Sequence, residues 1–79
     1  MNRNDYSKKR RFLSSKLIEA REKAGLSQKQ VADSKVVSQS ELSKIENSAR
    51  RVDFLILIEM AKYYNQPISF FIPNYESEE

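Results

Sequence analysis

Two serines eleven residues apart, Ser27 and Ser38, each open a tetrad of one type, "SQKQ" and "SQSE". In such a tetrad the serine hydroxyl accepts a backbone N–H from the first turn of a helix. The Gln or Glu three residues on, here Gln30 or Glu41, reaches back to the serine's own N–H. Each tetrad therefore starts a helix, and the second start leaves the first helix little room before the chain must bend. Val31 and Ala32 give the first of these helices a buried side. Leu42 and Ile45, three apart, do the same for the second, which should run from about Gln39 to Asn47. With the first ending near Lys35, about three residues lie between them, the spacing of a helix-turn-helix.

The remaining segments read as helices too. From about Ser7, the residues Leu13, Leu17, Ala20 and Ala24 recur at four, three and four, which is one face of a helix. Gly25, the single glycine, follows as a helix-ending residue does. Asp53 can cap "FLILIEMAKYY", with Phe54, Leu57, Ala61 and Tyr64 as its inward face. Ser69 can cap a last turn, "FFI", stopped by Pro73. Strict period-two alternation is missing, so no strand is expected. The fold class is all-α, with five short helices. Residues 1–12 form a basic arm and the start of helix one, 13–72 the helical body, and 73–79 a short acidic tail; the first few residues and "YESEE" are expected to be mobile.

Composition removes whole classes of function. Seventy-nine residues support one domain, and the chain has neither cysteine nor histidine. Disulfides and thiolate metal sites are excluded, as are the commonest general base and metal ligand. No carboxylate is grouped with a nucleophile or a Gly-rich phosphate cradle. An enzyme, a metal site and a cofactor are therefore not expected. No apolar run nears the roughly 20 residues that span a bilayer, and the basic N-terminus lacks the apolar stretch of a secretory signal. A cytoplasmic location is expected.

The net charge of +3 conceals a division. Residues 1–52 hold 13 Lys/Arg against 6 Asp/Glu, a balance of +7; residues 53–79 hold one Lys against five acids, a balance of −4. A basic half of this kind suits a polyanion. With Leu42 and Ile45 turned inwards, Gln39, Ser40, Ser43 and Lys44 turn out. Gln can bond bidentately to adenine, Lys can donate to guanine, and a short Ser allows close approach, so these four are candidate base contacts in a DNA major groove. Gln28 and Lys29, at the start of the preceding helix, are candidates for phosphate. A solvated helix face would use the same residue types; the paired capping boxes favour the groove.

These segments resemble the Cro/C1-type helix-turn-helix family of bacterial and phage transcription regulators, also called the XRE family. The resemblance covers about residues 13–72 and rests on "AREKAGLSQKQVA", "VSQSELSKIEN" and "FLILIEMAKYYNQPISFF". It implies a compact five-helix, lambda-repressor-like domain that binds operator DNA as a two-fold homodimer. It also implies an inward ion pair between Arg21 and Glu46. Gln28, Gln39, Ser40 and Lys44 match its DNA-contacting places, and Asn47 with the following basic loop matches a backbone-contacting region. Two positions depart from the pattern. Val36 stands where the turn often has Gly, so the turn is expected to avoid positive φ there, and Ser48 replaces a frequent Gly after the recognition helix.

Basic residues outside the motif extend the candidate contacts. Arg50 and Arg51 follow the recognition helix and are assigned to the DNA backbone. Lys8, Lys9, Arg10 and Arg11 form an arm on the backbone or minor groove, a loose charged tail, or a solvated first turn of helix one. Apolar residues exceed what one small core can cover: Leu55, Tyr63, Phe70, Ile72 and Tyr75 are left over as a candidate dimer interface, the alternative being that the tail folds back over them. The resulting expectation is a sequence-specific double-stranded DNA-binding regulator, a repressor or autoregulator acting as a homodimer. A toxin or another regulator is a further candidate partner. Two rivals remain, a protein-interaction module that has kept the fold, and a non-specific nucleic-acid binder. Few aromatics lie in the basic half, which argues against stacking on single strands.

Overall fold

The computed structural model describes residues 2–73, and every regular element among them is helical. In chain order these are α1 (Arg3–Lys23), α2 (Gln28–Asp33), α3 (Gln39–Glu46), α4 (Phe54–Tyr63) and a 3-10 turn (Ile68–Phe71). The count is thus four α-helices, and the expected fifth is a single 3-10 turn. It starts after Pro67, which offers no side-chain cap, so Ser69 is inside the turn and not its cap. Tyr75 and the "YESEE" segment lie outside the described residues.

α1 begins four residues earlier than the aliphatic spacing suggests. Asn2 caps it, its Oδ1 accepting the Asp5 N–H at 2.9 Å. Tyr6, Arg10, Leu13 and Leu17 then continue one face at steps of four, three and four, with the half-buried Tyr6 and Arg10 in place of aliphatics. Lys8, Lys9, Arg10 and Arg11 therefore sit on a regular helix, and the arm reading is corrected. At the other end Ala24 is an exposed C-cap rather than part of the buried face.

All four α-helices stop in the same way, with a residue in the left-handed region just past the cap. These residues are Gly25 (φ 73°), Lys35 (φ 69°), Ser48 (φ 60°) and Asn65 (φ 61°). After α1, α3 and α4 the next two N–H groups turn back onto the last helical carbonyls. Ser48 donates to Ile45 and Ala49 to Lys44, for example, at 3.1 and 2.8 Å. This is the Schellman arrangement, which satisfies carbonyls the helix leaves unpaired. After α2 a hydroxyl takes over part of it. Ser34 Oγ donates to the Val31 carbonyl at 2.6 Å and accepts the Val36 N–H at 3.4 Å. The positive φ thus falls on Lys35, and Val36 is spared the conformation that its β-branched side chain disfavours.

The core gathers Leu17 and Ala20 of α1, Val31 of α2, Leu42 and Ile45 of α3, and Met60, Ala61 and Tyr64 at the end of α4. Val37 from the α2–α3 turn and Phe71 from the closing turn complete it. α2 packs on α3, and α1 packs on both α3 and the closing turn. The inward face of α4 is Leu57, Met60, Ala61 and Tyr64. Phe54, expected on that face, is 64 % exposed. It keeps the helical phase, but it is the first residue after the Asp53 cap and projects beyond the body that the later turns cover. Tyr64 is buried, and its hydroxyl meets no hydrogen-bond partner among the described residues. Burial and the nearby Glu46 charge push that phenol up to about 12.

Candidate nucleic-acid interface

α3 buries Leu42, Ile45 and Glu46 and turns Gln39, Ser40 and Lys44 to solvent, with Ser43 half-buried beside them. Both capping boxes are complete. Ser27 Oγ accepts the Gln30 N–H at 3.1 Å and Gln30 Oε1 accepts the Ser27 N–H at 2.8 Å. In the second box Ser38 and Glu41 exchange the same pair of bonds, each at 3.1 Å. Hydrogen bonds from Ser38 hold the Glu41 carboxyl below the usual carboxylate range, with Arg50 and Lys44 adding to the effect. The exposed side of α3 therefore starts at a fixed place, and its polar residues lie on one continuous surface.

At the C-terminal end of α3 is a three-residue brace. Arg21 Nε donates to Glu46 Oε2 at 2.7 Å and Arg21 Nη2 to Glu46 Oε1 at 3.0 Å, a two-pronged pair. Arg21 Nη1 also donates to the Leu26 carbonyl at 2.9 Å. Gln28 Nε2 adds a bond to Glu46 Oε1 at 2.9 Å. The Glu46 side chain is only 4 % exposed, and its hydrogen bonds hold the Arg21 guanidinium above its ordinary range. One carboxylate thus ties the end of α1, the start of α2 and the end of α3 together. Gln28, expected to face phosphate, has its amide nitrogen turned inwards to this brace. Lys29 beside it is exposed, with Asp33 at 3.9 Å.

A second tie was not visible in the sequence. Ser48 Oγ donates to Ser14 Oγ at 2.8 Å, and the buried Ser14 Oγ donates to the Ile45 carbonyl at 2.9 Å. It joins the middle of α1 to the last turn of α3. Two serines 34 positions apart carry no local signal of such a pairing.

The basic residues divide. Two guanidinium groups, those of Arg10 and Arg51, lie over the Tyr6 ring at 5.9 and 5.6 Å from its centroid. That contact holds the N-terminal part of α1 against the loop after α3. Lys9 and Arg10 thereby meet Arg50 and Arg51 around one cleft, whereas Lys8 and Arg11 are exposed elsewhere on α1. Arg50 also reaches Glu41 Oε2 at 3.5 Å. Asn47 is the exposed C-cap of α3. The extra turns of α1 and the role of Tyr6 went unread; Asn2 as a cap and the Tyr6, Arg10, Leu13, Leu17 spacing were the available signals.

Two short helices joined by a bend, an exposed polar face on the second and a buried brace at its C-terminal end make the fold legible as a family. The helix-turn-helix family profile matches residues 17–71, well over half of the chain. This chain belongs to the Cro/C1-type helix-turn-helix family. Cro/C1-type (XRE) proteins are DNA-binding transcription regulators and not an enzyme family. Comparison with the curated proteins gave no match. No helix among the described residues is long and apolar enough to cross a membrane.

On the C-terminal side of this Cro/C1-type domain, Phe54, Leu55, Tyr63, Ile68 and Ile72 are exposed. Phe70, grouped with the candidate dimer residues on sequence, is different. It is half-buried against the core, edge-on to Phe71 at 5.2 Å between centroids. The ammonium groups of Lys16 and Lys23 lie over its ring at 4.8 and 5.4 Å. Phe70 is therefore largely closed off within its own chain, while Leu55, Tyr63 and Ile72 are open.

Proposed function

We propose that the chain reads a specific double-stranded operator through α3 and acts as a homodimeric repressor or autoregulator. The observation that carries this reading is the exposed row of Gln39, Ser40 and Lys44, with Ser43 beside it, on a helix braced at its C-terminal end by Arg21, Glu46 and Gln28. Gln and Lys are donors and acceptors suited to base edges, and the brace removes the freedom that would blur their placement. Lys29, Asn47, Arg50 and Arg51 flank the row and are suited to the phosphates on either side. Lys9 and Arg10 extend that basic flank. Lys8 and Arg11 point elsewhere on α1 and are assigned at most a diffuse electrostatic part. For the homodimer, the open side chains of Leu55, Tyr63 and Ile72, with Phe54 and Ile68 beside them, supply an apolar surface. A dimer would double the few bases that one eight-residue helix reaches.

The test is repeated selection from a random double-stranded pool with the purified chain. The expected product is an inverted repeat with half-site centres about 10 bp apart or a multiple. On that site Gln39→Ala or Lys44→Ala should cost about 1–3 kcal/mol and relax the choice of base. Enrichment of no site, with binding that merely follows salt, would leave a non-specific binder and refute the operator-reading proposal.

A further inference from the structure

The family profile begins at residue 17, whereas α1 begins at Arg3, so residues 3–16 of the helix precede the matched span. This stretch is attached to both ends of the loop between α3 and α4. At the near end Ser48 Oγ donates to Ser14 Oγ at 2.8 Å, and Ser14 Oγ donates to the Ile45 carbonyl at 2.9 Å. At the far end the Arg51 guanidinium lies over the Tyr6 ring, 5.6 Å from its centroid, and Leu13 and Val52 line one cleft. Tyr6 and Ser14 are about 12 Å apart along a stiff helix. Residues 49–53 of the loop, by contrast, belong to no regular element. The loop's arginines are therefore placed by what the loop rests on. Charge points the same way. Arg10 shares the Tyr6 ring with Arg51, and Lys9 and Arg50 line the same cleft, so like charges gather around an uncharged ring. Their mutual repulsion is relieved by a polyanion. A ring also holds a guanidinium differently from a carboxylate. Glu41 Oε2, 3.5 Å from Arg50 Nη1, sets a negative charge beside that arginine; Tyr6 holds Arg51 with its charge uncancelled.

We propose that residues 3–14 of α1 are a splint for the loop after α3, and that Tyr6 is a positioning residue that holds Arg51 ready for a DNA phosphate. The Ser14 bonds fix the start of the loop and the Tyr6 ring fixes its end, so less ordering of Arg51 is left to the moment of binding. The effect on duplexes rests on the DNA-binding reading above; the splint itself does not.

The test uses the full chain. Tyr6→Leu keeps an apolar helix-former and removes the ring, Tyr6→Phe keeps the ring, and Arg51→Ala removes the cation. Affinity for a random-sequence duplex is measured at about 50 mM salt, and the Arg51 Hδ chemical shifts are read in the chain free of DNA. Ring-shifted Hδ resonances are expected in the parent and in Tyr6→Phe, and their return towards the unstructured value in Tyr6→Leu. Tyr6→Leu should weaken duplex binding by about threefold, as loss of one exposed ring–cation contact does, while Tyr6→Phe binds as the parent. Added to Arg51→Ala, Tyr6→Leu should have no further effect. Hδ shifts that ignore residue 6 overturn the splint. Parent-like binding by Tyr6→Leu, an equal loss when it is added to Arg51→Ala, or a loss shared by Tyr6→Phe overturns the positioning role. A parent chain that binds no duplex refutes the DNA reading, and the Hδ shifts then decide the splint by themselves.

Discussion

The four left-handed helix ends provide an internally controlled experiment on backbone strain. Gly25, Lys35, Ser48 and Asn65 have φ between 60° and 73°, yet only one is glycine. A side chain in this region costs roughly 1–2 kcal/mol, while glycine loses about 0.5–1 kcal/mol more backbone freedom on folding. Lys35 is exposed and ties down nothing else, so Lys35→Gly should stabilise by about 0.5–1 kcal/mol. Asn tolerates the conformation, and Asn65→Gly should fall within about 0.5 kcal/mol of zero. Ser48→Gly gains at the backbone but loses the bond to Ser14, whose hydroxyl still donates to Ile45; the two effects, each near 1 kcal/mol, should offset. A Cβ added at Gly25 meets nothing within 4 Å, so Gly25→Ala should cost about 1 kcal/mol from the backbone alone. Urea unfolding of the four variants at pH 7, with a common slope, measures the order directly. A Lys35→Gly variant no more stable than the parent, with Gly25→Ala unharmed, would refute the reasoning that the helix ends are strained.

Three further predictions concern other parts of the molecule. Glu46→Gln, which sets amide donors against Arg21 and Gln28, should destabilise by about 3–5 kcal/mol, while the double variant Arg21→Met with Glu46→Leu recovers most of that loss; a coupling energy below about 1 kcal/mol in urea would contradict a desolvated brace. Tyr64→Phe should be neutral or slightly stabilising at pH 7. Because the folded phenol is raised from 10 to about 12, the parent keeps its full stability below pH 10 and loses it as pH rises towards 12, so the Phe variant should gain about 1.4 kcal/mol on the parent by pH 11; parallel pH profiles would exclude this. Glu41→Gln preserves the capping box and releases Arg50, and should tighten binding to duplex DNA by about threefold at low salt; unchanged affinity would mean Arg50 is not held back.

What could be read from residues alone followed from local chemistry. Ser27 and Ser38 declare helix starts because a cap needs only residues three apart, and both boxes are complete. The Leu13, Leu17, Ala20 face was legible for a similar reason, as periodicity is a property of one segment. The Arg21–Glu46 pair joins positions 25 apart and came from family resemblance rather than spacing. Gln28 could not be seen as a third member, since its inward turn depends on where Glu46 ends up. Phe54 misled because phase around a helix says nothing of where the neighbouring body stops. The early start of α1 was missed because its buried stripe there is Tyr6 and Arg10, amphipathic side chains that a search for aliphatics passes over.

The brace at the end of α3 has a consequence for how such a protein can change. The C-terminal end of the helix is held by Arg21 and Gln28 on Glu46 and by the Ser14 relay to Ile45, about two turns from Gln39 and Ser40 at its start. None of these bonds uses the side chain of Gln39, Ser40 or Lys44, so those positions can be exchanged without retuning the support. α3 behaves as an interchangeable cassette: its exposed side chains can be rewritten while its mounting stays the same.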